Sequence, residues 1–124
     1  MSARILVIED NPANRDLISY LLRAFGYDVE CESNGAAGLQ SALSGGYDLV
    51  LSDILMPDMD GYEFARRFKA DPGVSKTPLI AVTALAMTGD RERVLRSGFD
   101  GYISKPIDPQ KFAGQIAAFL SSRG

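Results

Sequence analysis

Apolar runs of strand length alternate with stretches of helical period along the whole of this 124-residue chain, and few folds admit that pattern. Runs such as Ile5-Leu6-Val7-Ile8, Leu49-Val50-Leu51 and Leu79-Ile80-Ala81-Val82 are continuously apolar, as strands covered on both faces must be. Five repeats of strand then helix predict an α/β domain whose five-stranded parallel sheet carries helices on both faces, a (βα)5 arrangement.

Strand one is expected over about Arg4 to Glu9, with Asn11 capping the next helix and Pro12 in its first turn. Leu17, Leu21, Leu22 and Phe25 would form that helix's apolar stripe, and Gly26 would stop it. Strand two covers about Asp28 to Glu32; the helix from Asn34 turns Leu39 and Leu43 inward and ends at Gly45-Gly46. Strand three runs from Tyr47 to Asp53, and Asp60 begins the third helix with Glu63 at capping-box spacing and Phe64 and Phe68 inward. Strand four is Pro78 to Thr83, helix four about Met87 to Arg96, and strand five Gly101 to Ser104. The last helix, about Pro109 to Ser121, buries Phe112, Ile116, Phe119 and Leu120. A single domain over 1–124, with no output domain, is the expectation.

Composition excludes several kinds of function. The net charge is −3 and no stretch clusters Lys and Arg with aromatics, so neither a nucleic-acid surface nor direct DNA binding is expected. No apolar run approaches the roughly 20 residues of a spanning helix, and the N-terminus lacks a signal peptide's regions, which predicts no membrane partner and a cytoplasmic setting. Cys31, the one cysteine, sits in an alternating run and reads as a small buried hydrophobe. The absence of histidine removes Ser-His-Asp and Cys-His catalysis, His-ligated zinc and a phosphohistidine role.

The charged residues that stand out close the strands. Glu9 and Asp10 follow strand one and Asp53 follows strand three; side by side, those strands would gather three carboxylates. Like charges so placed need a cation, and oxygen ligands call for a hard divalent ion, Mg²⁺. Ligands of open parallel sheets collect at the strands' carboxyl ends, where strand four adds Thr83 and Ala84 and strand five leads to Lys105-Pro106.

A chain with Glu9-Asp10 after strand one, Asp53 in D-I-L-M-P-D-M-D-G, Thr83-Ala84, and Tyr102-Ile103-Ser104-Lys105-Pro106 resembles the receiver domain of two-component response regulators over its whole length. Among these it looks most like stand-alone receivers of the DivK kind and the receivers of hybrid kinases. The resemblance implies the flavodoxin-like receiver fold and a phosphoacceptor role for Asp53, which would take a phosphoryl group from a histidine kinase or histidine phosphotransferase. It implies Mg²⁺ on Asp10, Asp53 and the Leu55 backbone carbonyl, with Glu9 acting directly or through water. Lys105 would pair with Asp53 and then with the phosphoryl oxygens, which Thr83 and Ala84 would also bind. Movement of Thr83 and Tyr102 would reshape the face of helix four, strand five and helix five, where a downstream protein docks. The family also suggests a cis Lys105-Pro106 bond, and apolar Leu55 and Leu85 suggest slow self-dephosphorylation.

Taken singly, Glu9-Asp10 reads as a solvated strand end, Thr83 as a core hydroxyl, Lys105 as a surface charge and Tyr102 as a half-buried aromatic. Asp58 and Asp60 read as turn and cap residues, since Pro57 and Gly61 mark a tight connection. Arg91, Arg93 and Arg96 read as a solvated face or as a means of steering an acidic partner. Two other functions compete. A Mg²⁺-dependent phosphohydrolase with an aspartate nucleophile would need a second acid where Leu55 stands. A phosphorylation-independent interaction domain would not need the full set of charged residues. A flavodoxin-like cofactor binder is weaker still, because Glu9-Asp10-Asn11-Pro12 replaces a phosphate-binding loop.

Overall fold

The computed structural model describes residues 2–84 and 89–122. Its elements alternate as β1 (Arg4–Ile8), α1 (Pro12–Ala24), β2 (Asp28–Glu32), α2 (Gly35–Leu43), β3 (Leu49–Ser52), α3 (Gly61–Ala70), β4 (Leu79–Thr83), α4 (Asp90–Arg96), β5 (Gly101–Ser104) and α5 (Pro109–Ser122). All neighbouring strands pair in parallel, in the order β2-β1-β3-β4-β5. The expected (βα)5 sheet is therefore present. No described helix is long and apolar enough to cross a membrane.

Side chains alternate across the sheet and sort into two cores. Ile5, Val7, Leu49, Leu51, Ile80 and Val82 face α1 and α5, whose Ile18, Leu22, Phe112 and Ile116 close one layer. Leu6, Ile8, Val50, Leu79 and Ala81 face the opposite layer, built from Leu39 of α2, Phe64 and Phe68 of α3 and Val94 of α4. Truncating a fully buried aromatic such as Phe64 or Phe112 would cost about 3–5 kcal/mol.

Two helices are rotated from the expected phase. In α1 the buried pair is Ile18 and Leu22, with Ser19 beside them, while Leu17 and Phe25 stand exposed. The Asn11 side chain caps the Asn14 amide at 3.0 Å and sets where the helix begins. Ser19 is buried without penalty because its hydroxyl donates to the Arg15 carbonyl at 3.0 Å. In α2, Leu39 and Ala42 are buried and Leu43 is turned partly outward. That helix lies on Ile8 so closely that a Cβ on Gly38 would stand 2.7 Å from the Ile8 side chain, which dedicates the Gly38 face to the sheet.

Other boundaries moved less. Gly26 ends α1 with φ of +87°, a conformation that suits glycine. β3 stops at Ser52 because the Asp53 carboxylate accepts the Leu55 amide at 3.1 Å and turns the chain out of the ladder. Asp60 caps α3 through the Tyr62 amide, but Glu63 does not complete a capping box; its carboxylate takes Arg66 and Arg67 instead. Cys31 is half-buried, since β2 is an edge strand. The expected start of helix four at Met87, like Leu85, lies outside the described residues.

Candidate phosphoryl-transfer site

The strand order brings β1 and β3 together although β2 lies between them in sequence, and Ile8 pairs with Ser52. The next residues, Glu9 and Asp53, therefore leave the sheet side by side at its carboxyl edge, at the point where the strand order reverses. Each carboxylate accepts the backbone amide two residues on, Glu9 Oε2 from Asn11 at 3.2 Å and Asp53 Oδ1 from Leu55 at 3.1 Å. Both side chains are thus tied to the start of the connection that follows their strand.

Lys105 joins them. β5 pairs with β4 up to Thr83 and Ser104, the Lys105 amide donates to the Thr83 carbonyl at 2.9 Å, and the cis Lys105-Pro106 bond follows as the resemblance suggested. The Lys105 ammonium bridges Glu9 Oε1 at 2.6 Å and Asp53 Oδ2 at 2.7 Å. All three are largely withdrawn from solvent: the side chains are 15% exposed for Lys105, 2% for Glu9 and 7% for Asp53. Burial pushes the Glu9 carboxyl above its ordinary value, an effect that the Lys105 and Asn11 hydrogen bonds reduce without cancelling. For Lys105, burial disfavours the ammonium, but hydrogen bonds to Asp53 and Glu9 outweigh it and raise the value.

Carboxylate oxygens of Glu9, Asp10 and Asp53 lie within 4.8 Å of one another, with Asp10 exposed to solvent. Three carboxylates thus face one ammonium. An all-oxygen donor set with negative charge in surplus fits a hard divalent cation such as Mg²⁺. Both Glu9 oxygens already accept protein hydrogen bonds, one from Lys105 and one from Asn11, whereas Asp10 is open at the rim.

Of the remaining expected residues, Thr83 and Ala84 lie at the same edge, whereas Tyr102 sits earlier in β5, opposite Ala81. Thr83 is fully buried at the end of β4 and Ala84 beside it is exposed. Leu55 is 59% exposed at the mouth of the site. Tyr102 is half-buried against the α2–α4 layer; burial raises its phenol, with the charge of Asp90 adding to that. A groove of about 510 Å³ lies beside the carboxylates and includes none of them; Leu55, Met56, Met59, Tyr62, Asp90 and Arg93 are among its walls. Arg93 is less free than the sequence implied, because its guanidinium stacks 4.4 Å from the Tyr62 ring centre.

Two supporting residues had escaped sequence reasoning. Arg15 donates to the Glu9 carbonyl at 3.0 Å, a contact across a helix entry that no spacing advertises. Asp58, read as a turn residue, accepts the Gly35 and Ala36 amides of α2 at 2.8 and 2.9 Å. One signal pointed that way: α2 begins with glycine and has no acidic residue in its first turn, leaving its amides in want of an acceptor.

Known proteins resemble this chain in sequence and in fold. The polar-differentiation response regulator DivK of Brucella anthropi is 38% identical over 120 residues, 97% of this chain and 98% of that protein. The receiver domain of the sensor histidine kinase PA1611 from Pseudomonas aeruginosa, solved with a magnesium ion coordinated in its active-site cleft, superposes with a TM-score of 0.89 at 34% identity. That match covers 98% of this chain and 99% of the other. Vibrio cholerae chemotaxis response regulator CheY4 gives a TM-score of 0.90 at 25% identity, over 96% and 99% of the two chains. Residues 5–117 match the response regulator receiver domain, and the chain belongs to that family, a receiver of two-component signalling.

Proposed function

We propose that Asp53 is the phosphoacceptor and that the protein takes a phosphoryl group from the phosphohistidine of a histidine kinase or histidine phosphotransferase. The observation that carries this reading is the buried Lys105 ammonium shared between Asp53 and Glu9 at a carboxyl edge whose negative charge exceeds its positive. An Asp53 oxygen attacks phosphorus as the bond to the imidazole nitrogen breaks, and that nitrogen keeps the electron pair. Asp10, Asp53 and the Leu55 backbone carbonyl would hold Mg²⁺, with Glu9 acting directly or through water. When bound, Mg²⁺ neutralises charge on the transferring phosphoryl oxygens. Lys105 passes from the carboxylate to a phosphoryl oxygen, and Thr83 and the Ala84 amide bind the others.

Activity of this kind acts on the protein itself, with slow loss of the phosphoryl group, and serves signalling. Phosphoryl contact at Thr83, with Tyr102 following, would alter the face formed by α4, β5 and α5, where the downstream protein binds. The phosphohistidine donor would approach over α1, whose start adjoins Glu9 and whose Leu17, Tyr20 and Phe25 are exposed. A phosphohydrolase is not favoured, because Leu55 stands where its second acid would be. A phosphorylation-independent interaction domain is not favoured either, since the charged set is both complete and assembled.

Intact mass after incubation with acetyl phosphate tests the proposal. One phosphoryl adduct is expected with Mg²⁺, and none in Asp53→Asn or after chelation. An adduct that persists in Asp53→Asn would move the acceptor to another residue.

A further inference from the structure

The connection between β3 and α3 carries Leu55 and so governs both the amide on Asp53 Oδ1 and the carbonyl assigned to the metal. Its two ends are held differently. Near α3, the Gly61 amide donates to the Ile54 carbonyl at 3.0 Å, and a Cβ on Gly61 would lie 2.5 Å from Ile54 Cα, so that end is closed by backbone on backbone. At the apex, Pro57 and Asp58 are exposed, and what ties the segment down is the Asp58 carboxylate on α2. Close packing supports the same contact: a Cβ on Gly35 would stand 2.7 Å from Met59 Cβ.

The first turn of α2 depends on this arrangement. Asp58 Oδ1 takes the Gly35 amide, Oδ2 takes the Ala36 amide, and Asn34 Oδ1 takes the Ala37 amide at 2.8 Å. Three amides that the helix cannot satisfy for itself are all met, two of them by a residue 22 and 23 positions away. Those two bonds hold the Asp58 carboxyl below its ordinary value, as expected of a carboxylate at a helix N-terminus.

We infer that Asp58 is a positioning residue for the metal: by locking the Leu55-bearing segment to the N-terminus of α2, it keeps the Leu55 backbone in the place from which it serves Asp53 and Mg²⁺. This rests on the metal assignment proposed above. Groups that orient a ligand without touching the metal commonly contribute about tenfold or more to metal affinity.

Calorimetric titration with MgCl₂, together with thermal melting, tests the inference on the full chain. Asp58→Ala is expected to weaken Mg²⁺ binding by about tenfold, with Asp58→Asn, which keeps one acceptor oxygen, falling between it and the wild type. Asn34→Ala removes the other cap of the same helix without touching the segment; it should lower the melting temperature and leave Mg²⁺ affinity unchanged. Equal Mg²⁺ affinity in wild type and Asp58→Asn, or equal weakening in Asn34→Ala, would reduce Asp58 to a helix cap and overturn the inference. Absence of Mg²⁺ binding in the wild type would overturn the metal assignment itself and this inference with it.

Discussion

Two lysines, one at each end of the sheet, show how similar contacts serve different ends. Lys69 lies at the amino edge and donates to the Ser75 carbonyl at 3.1 Å, the Thr77 carbonyl at 2.8 Å and Asp100 at 2.7 Å. Asp100 also accepts the Leu79 amide at 2.8 Å and is half exposed. One charge meets one charge, and neutral carbonyls complete the ammonium's shell. Lys105 at the carboxyl edge instead meets two buried carboxylates, with Asp10 close by. The first lysine finishes a structural joint, while the second leaves negative charge over and so leaves work for a further cation.

Replacing each lysine separates the two roles. Lys105→Ala strands Glu9 and Asp53 and is expected to cost about 3 kcal/mol in urea unfolding without metal. Mg²⁺ should recover much of that loss, because the stranded charge is what it binds. Lys69→Ala should cost about 1 kcal/mol, since Asp100 remains open to water, and Mg²⁺ should not change the deficit. Equal losses, or a Lys105→Ala deficit indifferent to Mg²⁺, would erase the contrast.

The amino edge offers a smaller, pH-dependent contrast. Hydrogen bonds from Tyr47 and then Arg4 hold the Glu30 carboxyl below its ordinary 4.5. A carboxyl depressed in the folded protein adds stability above pH 4.5 that is lost as pH falls through the folded value. Glu30→Gln should therefore flatten the acid limb of urea midpoints measured below pH 4.5. Least affected should be Glu63→Gln. Arg66 and Arg67 hold Glu63 down to about 2, so its contribution would fade between pH 4.5 and about 2, but its partners lie on its own helix, where such pairs add little, whereas Glu30 ties β2 to Arg4 of β1 and to Tyr47. A steeper acid-limb change from Glu63→Gln than from Glu30→Gln would reverse that ranking.

Much of this was legible before any coordinates. Strand-length runs are local, so all five strands and their helices could be read, and the residues that close those strands carried the site. Phase was harder. Leu17, Ile18, Leu21 and Leu22 permit more than one apolar stripe, and only the sheet beneath α1 selects Ile18 and Leu22. Glu63 has capping-box spacing from Asp60, yet two arginines on the same helix take its carboxylate. Asp58 satisfied the local rules for a turn, and its acceptor role became visible only with α2 beside it.

By itself, then, the sequence determined which segments are strands and helices, the parallel character of the sheet, and the carboxylates, hydroxyl and lysine at strand ends, because periodicity and turn chemistry act over a few residues. Tertiary structure alone decided that β1 lies against β3, that Lys105 spans Glu9 and Asp53 from 96 and 52 residues away, and that Asp58 caps a helix across the site. Charges of this kind acquire their meaning from burial and neighbours, and both exist only once distant strands have been brought to a common edge.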